Sequence, residues 1–160
     1  MRHFTATAFV TDDQNRVLLM WHKRMQRWMP PGGHVQADEL PEETAKRECK
    51  EETGLDVEIL GEPTQDFFTA NPHEGRMLKK PFAMLLETIP ASEERGEPAH
   101  EHMDFLFHAK MIDPTQNVIV APEEGHELRW FTREEIALLD ESKEIFSNVK
   151  VYALLLLESV

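Results

Sequence analysis

Glu48, Glu51 and Glu52 stand in the run Arg47-Glu48-Cys49-Lys50-Glu51-Glu52-Thr53-Gly54, and their spacing raises a chemical question. Residues three and four apart on a helix are neighbours, so Glu48 faces both Glu51 and Glu52, and each like-charged pair costs about 0.2–0.5 kcal/mol. A helix that served only solubility would avoid this. A hard divalent cation reverses the balance, because Mg²⁺ takes a few carboxylates and fills the rest of its octahedron with water and substrate phosphate. On this reading Glu48, Glu51 and Glu52 are metal ligands, and Mg²⁺ is the cofactor, with Mn²⁺ as a substitute. Taken without their surroundings, the same glutamates read equally well as a solvated acidic face.

The elements that must position these carboxylates follow from local signals. From Leu40 or Pro41 to Thr53 the composition favours a helix, with proline tolerated in its first turn and Gly54 at the C-terminal cap. Ala45 and Cys49, four apart, are its core-facing pair, and the glutamates occupy a separate arc. Before it, Met29-Pro30-Pro31-Gly32-Gly33 is expected to be a shaped loop, and Phe4–Thr11 and Arg16–His22 to be a hairpin turned by Asp12-Asp13-Gln14-Asn15. Strands are expected at Asp56–Leu60, Gln65–Thr69, Lys80–Thr88, Met103–Met111 and Glu127–Phe131. Ile89–Glu101 reads as a solvated loop. Thr132-Arg133-Glu134-Glu135 has the form of a capping box and opens a helix to about Leu139. Ser142–Glu158 is a last, apolar helix that packs either on the sheet or on a second copy of the chain, the latter making a homodimer. One domain of α/β layered type over residues 1–160 fits this order.

Bulk properties narrow the partners. The chain has 160 residues, 41% of them hydrophobic, and 30 acidic against 17 basic residues give a formal charge of -13. That balance argues against nucleic acid or an anionic membrane as partner, but admits a phosphorylated small molecule whose charge a metal neutralises. Cys49 is the one cysteine, so no intramolecular disulfide forms. With no secretory pattern at the start and no apolar run of membrane-spanning length, a cytoplasmic setting is expected.

Set out by spacing, the acidic run extends backwards: Gly33, five residues, Glu39, seven residues, Arg47-Glu48, an apolar Cys49, Lys50, Glu51-Glu52, Thr53, Gly54 and an apolar Leu55. Residues 33–55 thereby resemble the Nudix box, the MutT-like signature of Nudix hydrolases, with cysteine where a branched aliphatic is usual. Pro30-Pro31-Gly32-Gly33 and the strand Glu127–Phe131 before a short helix are also similar to this family. The resemblance implies a Nudix-type α/β/α sandwich with a mixed β-sheet. It implies Mg²⁺-dependent hydrolysis of a phosphoanhydride in a nucleoside diphosphate linked to another moiety, such as a nucleoside triphosphate, ADP-ribose or a nucleotide sugar. It also implies that Arg47 orients a box glutamate through a salt bridge, that Glu39 has a structural or secondary role, and that Glu48 and Glu52 lead as ligands. Gly33 and Gly54 are architectural. The general base is either a box glutamate or one from the loop near residues 121–127, where Glu124 ranks first and Glu123 and Glu127 follow.

Other residues carry weaker signals. Arg24, Arg27, Trp28 and Glu127 are the candidates for holding substrate, although surface solvation competes for each cation, as it does for Arg76, Lys79 and Lys80. Trp21, Trp28, Phe67 and Phe68 could stack on a base, but aromatics in or beside strands more often belong to the core. Alternation puts His100, His102 and Asp104 on one strand face, where they would form a transition-metal site or line a pocket. An exposed strand end is the favoured reading, since no matching ligands are evident elsewhere in the chain. Cys49 reads as an inert core residue, badly placed for a diphosphate isomerase. The competing function from another class is a non-catalytic nucleotide-sensing regulatory module, and the intact glutamate set argues against it.

Overall fold

A computed structural model describes residues 1–62, 71, 73–119 and 125–158. The expected strand Gln65–Thr69, with Phe67 and Phe68, and the loop residues Glu123 and Glu124 lie outside the described residues.

The first hairpin forms from β1 (Arg2–Thr11) and β2 (Arg16–His22). The Asp12 carboxylate accepts the backbone N–H groups of Gln14 (3.0 Å) and Arg16 (2.9 Å), and Asn15 takes a left-handed φ of 56°, which asparagine tolerates better than most residues. Two short strands claim the ends of the segment expected to be a loop: β3 (Arg27–Met29) takes Met29, and β4 (Gly32–His34) takes Gly32 and Gly33. β3 pairs with β2, and β4 pairs with β1, setting Gly33 opposite Ala6 and Gly32 opposite Thr7. Glycine permits this: a Cβ on Gly32 would meet the Ala6 carbonyl oxygen at 2.8 Å.

α1 (Pro41–Thr53) keeps its expected bounds. Pro41 opens it, the Glu43 carboxylate accepts the Leu40 N–H at 2.9 Å, and Gly54, at φ 74°, ends it by donating to the Lys50 carbonyl oxygen. β5 (Val57–Ile59), β6 (Ala83–Ile89), β7 (His100–Met111) and β8 (Gly125–Thr132) follow. β7 starts earlier than expected because its first residues pair with β1 and β6, which claims part of the supposed loop. α2 (Arg133–Leu138) has its capping box, and α3 (Ser147–Leu156) begins five residues later than expected, after a turn in which Asp140 accepts the Ser142 N–H at 2.7 Å.

The sheet is mixed. β1 and β7 run parallel over ten register pairs from Arg2↔Glu101 to Thr11↔Lys110, and the other named pairings are antiparallel. Alternation along the strands feeds two cores. Ala6, Ala8, Val10, Leu18 and Phe107 pack with Ala45 and Cys49 of α1, while Phe9, Val17, Leu19, Leu106 and Phe131 pack with Ile136 of α2 and Ala153 of α3. Helices therefore cover both faces, as an α/β/α sandwich requires. Each fully buried Phe or Leu contributes about 1.5–3 kcal/mol. α3 docks on the sheet through Ala153, and its outer residues Val151 and Leu155 stay exposed.

Candidate active site

Two elements build the acidic site, α1 and the short strand β4 beside it. Helical periodicity turns Thr44, Ala45, Cys49, Glu52 and Thr53 inward, so Glu52 is only 4% exposed despite its charge. Its carboxylate accepts the Gly32 N–H at 3.0 Å. One residue along β4, Gly33 lies directly under Glu48: a Cβ built there would meet the Glu48 Oε1 at 2.4 Å and its carboxyl carbon at 2.5 Å. Gly33 thus leaves room for the Glu48 carboxylate, while Gly32 holds that of Glu52 through its backbone N–H. Glu51, with its side chain 58% exposed, points further out.

Arg47 ties the arrangement together. Its guanidinium donates to Glu39 through Nε (2.8 Å) and Nη2 (3.0 Å), to Glu48 through Nη1 (2.6 Å) and to Glu51 at 3.2 Å. Nη2 also donates to the His34 carbonyl oxygen at 3.2 Å, which fastens β4 to the helix. A planar fork suits this bidentate grip on Glu39. Glu39 accepts the Thr44 hydroxyl (2.6 Å) and the Gln36 N–H (3.2 Å) as well. Hydrogen bonding from Arg47 holds the Glu39 carboxyl down at about 2, against an ordinary 4.5. A depressed carboxyl stabilises the fold above its unfolded pKa and loses that contribution as pH falls from about 4.5 towards 2. In an acid titration followed by ellipticity, Glu39→Gln should flatten the stability slope over this window, and an unchanged slope would contradict the role given to the pair.

The donor set fits a hard cation. Glu48, Glu51 and Glu52 offer oxygen ligands on one side of α1, with Gly33 leaving space beside Glu48 that a side chain would fill. Cys49 offers no competing chemistry, since burial pushes its thiol up to about 11 and it is fully enclosed in the core.

The residues expected to hold substrate are not brought together. Trp28 is a core residue, 8% exposed, because the middle position of β3 turns inward, and its ring meets Phe131 edge-on at 4.9 Å and Trp21 at 5.5 Å. Arg27 donates to the Ser142 carbonyl oxygen at 2.7 Å and lies over the Phe146 ring at 5.5 Å, so it holds β3 to the segment before α3. Arg24 faces Glu97 at 3.7 Å, and Glu127 is exposed on β8.

One carboxyl pair was not anticipated. Asp104 is 6% exposed and accepts the Thr7 hydroxyl at 2.9 Å, and burial raises its pKa. Glu87, on the neighbouring strand β6, is pushed up to about 7 by burial and by the Asp104 charge, so it can gain or lose a proton near neutrality. The inward alternation of β6 carries the signal for Glu87, but only the register of β6 on β7 places it diagonally from Asp104.

Comparisons with known proteins identify the family and the fold. The family model described as NUDIX domain matches residues 1–154. An uncharacterized Nudix hydrolase of Bacillus subtilis is 27% identical over 126 residues, which are 79% of this chain and 76% of the relative. An RNA pyrophosphohydrolase of a Marinomonas species is 48% identical over 48 residues, only 27% of this chain and 30% of that protein. Among solved structures, a NUDIX-family hydrolase from Clostridium perfringens superposes with a TM-score of 0.79 at 27% identity, covering 98% of this chain and 96% of its own.

Proposed function

The chain belongs to the Nudix hydrolases, and from that premise we propose that it cleaves a phosphoanhydride bond in a nucleoside diphosphate linked to another moiety, with Mg²⁺ as the working ion. The observation that carries this reading is the placement of Glu48 against Gly33 under the grip of Arg47, with Glu52 beside it accepting the Gly32 N–H. A full carboxylate set held ready beside a strand is what a hydrolase requires and a mere binder does not. The pyrophosphohydrolase names of the Marinomonas relative and of a probable DHNTP pyrophosphohydrolase from Lactococcus lactis, 28% identical over 103 residues, support the same bond type. The latter match spans 64% of this chain and 51% of that protein. A formal charge of -13 favours a small nucleotide substrate over nucleic acid or a membrane. Among the described residues no helix is long and apolar enough to cross a bilayer.

Glu48, Glu51 and Glu52 would hold the ion, which when bound neutralises diphosphate charge and makes a bound water more acidic. Arg47 fixes the Glu48 carboxylate, and the Gly32 N–H fixes that of Glu52, so neither must reorganise when substrate arrives. A glutamate then accepts the proton of the attacking water. We assign this role first to Glu124, in a segment whose Pro122 and Gly125 read in the sequence as a loop able to close over a bound substrate, and second to Glu127 of β8. Glu124→Gln should lower kcat and remove the lower-pH limb of its profile at saturating Mg²⁺ and substrate. If Glu123→Gln, Glu124→Gln and Glu127→Gln all keep both rate and profile, the base lies among Glu48, Glu51 and Glu52.

A panel of nucleoside triphosphates, ADP-ribose, dinucleoside polyphosphates and nucleotide sugars, with Mg²⁺ and with products resolved, tests the reaction class. Release of a nucleotide product from at least one class, dependent on the ion, is the expected result. Failure of all classes to turn over would overturn the proposal.

A further inference from the structure

The two histidines at the start of β7 do not stand alone. His3 of β1, His34 of β4, and His100 and His102 of β7 each offer a ring nitrogen, and these four atoms all lie within 4.8 Å of one another. The topology makes the cluster. The parallel register of β1 on β7 sets His3 opposite His102, alternation puts His100 on the same face as His102, and antiparallel pairing of β4 with β1 brings in His34 opposite Thr5. The chain separations that hide the set in the sequence are closed by two strand pairings.

The nitrogen spacing suits an ion. With metal–nitrogen bonds of about 2.0–2.1 Å, a tetrahedral centre separates its ligand nitrogens by about 3.3 Å. Here His3 Nδ1 lies 3.3 Å from His34 Nε2, and His100 Nε2 lies 3.1 Å from His102 Nε2. Rings of all four histidines meet at centroid distances from 4.9 to 6.0 Å. One outer partner is in place: His100 Nδ1 lies 3.0 Å from the Pro98 carbonyl oxygen, and donating its proton there turns the Nε2 lone pair towards the other three rings. Burial and mutual repulsion hold His34 and His102 below the ordinary imidazole value, which favours their neutral, ligating form. The competing arrangement is two imidazole pairs, each sharing a single proton.

We propose that His3, His34, His100 and His102 form a second, all-nitrogen site for a divalent transition-metal ion of the zinc type, separate from the carboxylate site of α1. Imidazole nitrogen selects such ions over Mg²⁺, and a closed four-ligand set leaves no open position, so the site is structural rather than catalytic. It would clamp the first residues of β1 and β7 to the end of β4. His34 also accepts the Arg47 guanidinium through its carbonyl oxygen, so the clamp would hold the strand on which the catalytic carboxylates rest.

Metal-free full-length protein titrated with Co²⁺ provides the test, since tetrahedral nitrogen-ligated Co²⁺ absorbs visible light much more strongly than the octahedral ion. One equivalent should give the intense band, Zn²⁺ should displace it stoichiometrically, and millimolar Mg²⁺ should not. In His34→Gln and His100→Gln, Co²⁺ affinity should fall more than about tenfold, the smallest loss that even an outer partner's removal produces. Glu48→Gln/Glu52→Gln should keep the band, which separates this site from the carboxylate site. Absence of the band in the wild-type protein, or its persistence at full affinity in both histidine variants, would overturn the proposal.

Discussion

Glu52→Gln should leave the protein folded and lower its turnover by about three orders of magnitude. Glutamine has the shape and volume of glutamate, and its carbonyl oxygen can still accept the Gly32 N–H that the carboxylate accepts at 3.0 Å. What is lost is a negative charge on a side chain only 4% exposed, at the position proposed to hold the ion. Metal catalysis stabilises developing charge by several kcal/mol, and each 1.36 kcal/mol is tenfold in rate, so losing a principal ligand costs about a thousandfold. The fold should hold, or gain slightly without metal, because one like-charge contact on α1 is relieved. Steady-state kinetics beside a thermal melt check both halves. Near-normal Mg²⁺-dependent turnover in folded Glu52→Gln would remove Glu52 from the ligand set.

Gly33→Ala is the second large effect, and it separates stability from function. Gly33 has no positive φ, so alanine is acceptable to the backbone. Its added Cβ would nevertheless sit 2.4 Å from the Glu48 Oε1, and the flexible end of that side chain must swing away. Moving a carboxylate costs the fold little. It costs the reaction much, because a misplacement of about 1 Å can lower a rate a hundredfold. Turnover should therefore fall by about a hundredfold with a small change in melting temperature. Gly32→Ala behaves differently, because its Cβ would meet the Ala6 carbonyl oxygen at 2.8 Å and the Thr7 hydroxyl at 2.6 Å, and stability itself should drop. If Gly33→Ala is fully active, Glu48 is not held where the chemistry needs it.

Local signals explain what could be read from the chain in advance. α1 has its expected bounds because both ends are specified within a few residues, by Pro41 at the start and by Gly54 in the left-handed region at the end. The hairpin of β1 and β2 follows from Asp12 and Asn15 for the same reason. The contrast is sharpest at β3 and β4, three residues each, which flank Pro30-Pro31; with Gly32 and Gly33 these prolines look like a loop until β1 and β2 supply the partners. Trp28, a substrate candidate that could stack on a base but for which the core competed, is drawn inward by pairing with β2, whereas Glu87 and the four histidines gain their meaning from register across β1, β4, β6 and β7. The carboxylate cluster and the helix that carries it were legible because they share one segment. The surroundings of Trp28, Arg27 and Glu87 were not, because they depend on contacts between segments far apart in the chain.

If the crowded carboxylates of α1 hold a divalent ion, a Mg²⁺ titration of thermal stability will read the binding out. An ion that binds only the folded protein adds RT ln(1 + [L]/Kd), about 2.7 kcal/mol at a hundredfold excess over Kd. Wild-type protein should melt at progressively higher temperature as Mg²⁺ rises. Glu48→Gln/Glu52→Gln should start at or above the metal-free wild type and show no such rise. Equal rises in both proteins, or no rise in the wild type across the whole titration, would mean that these carboxylates do not hold the ion.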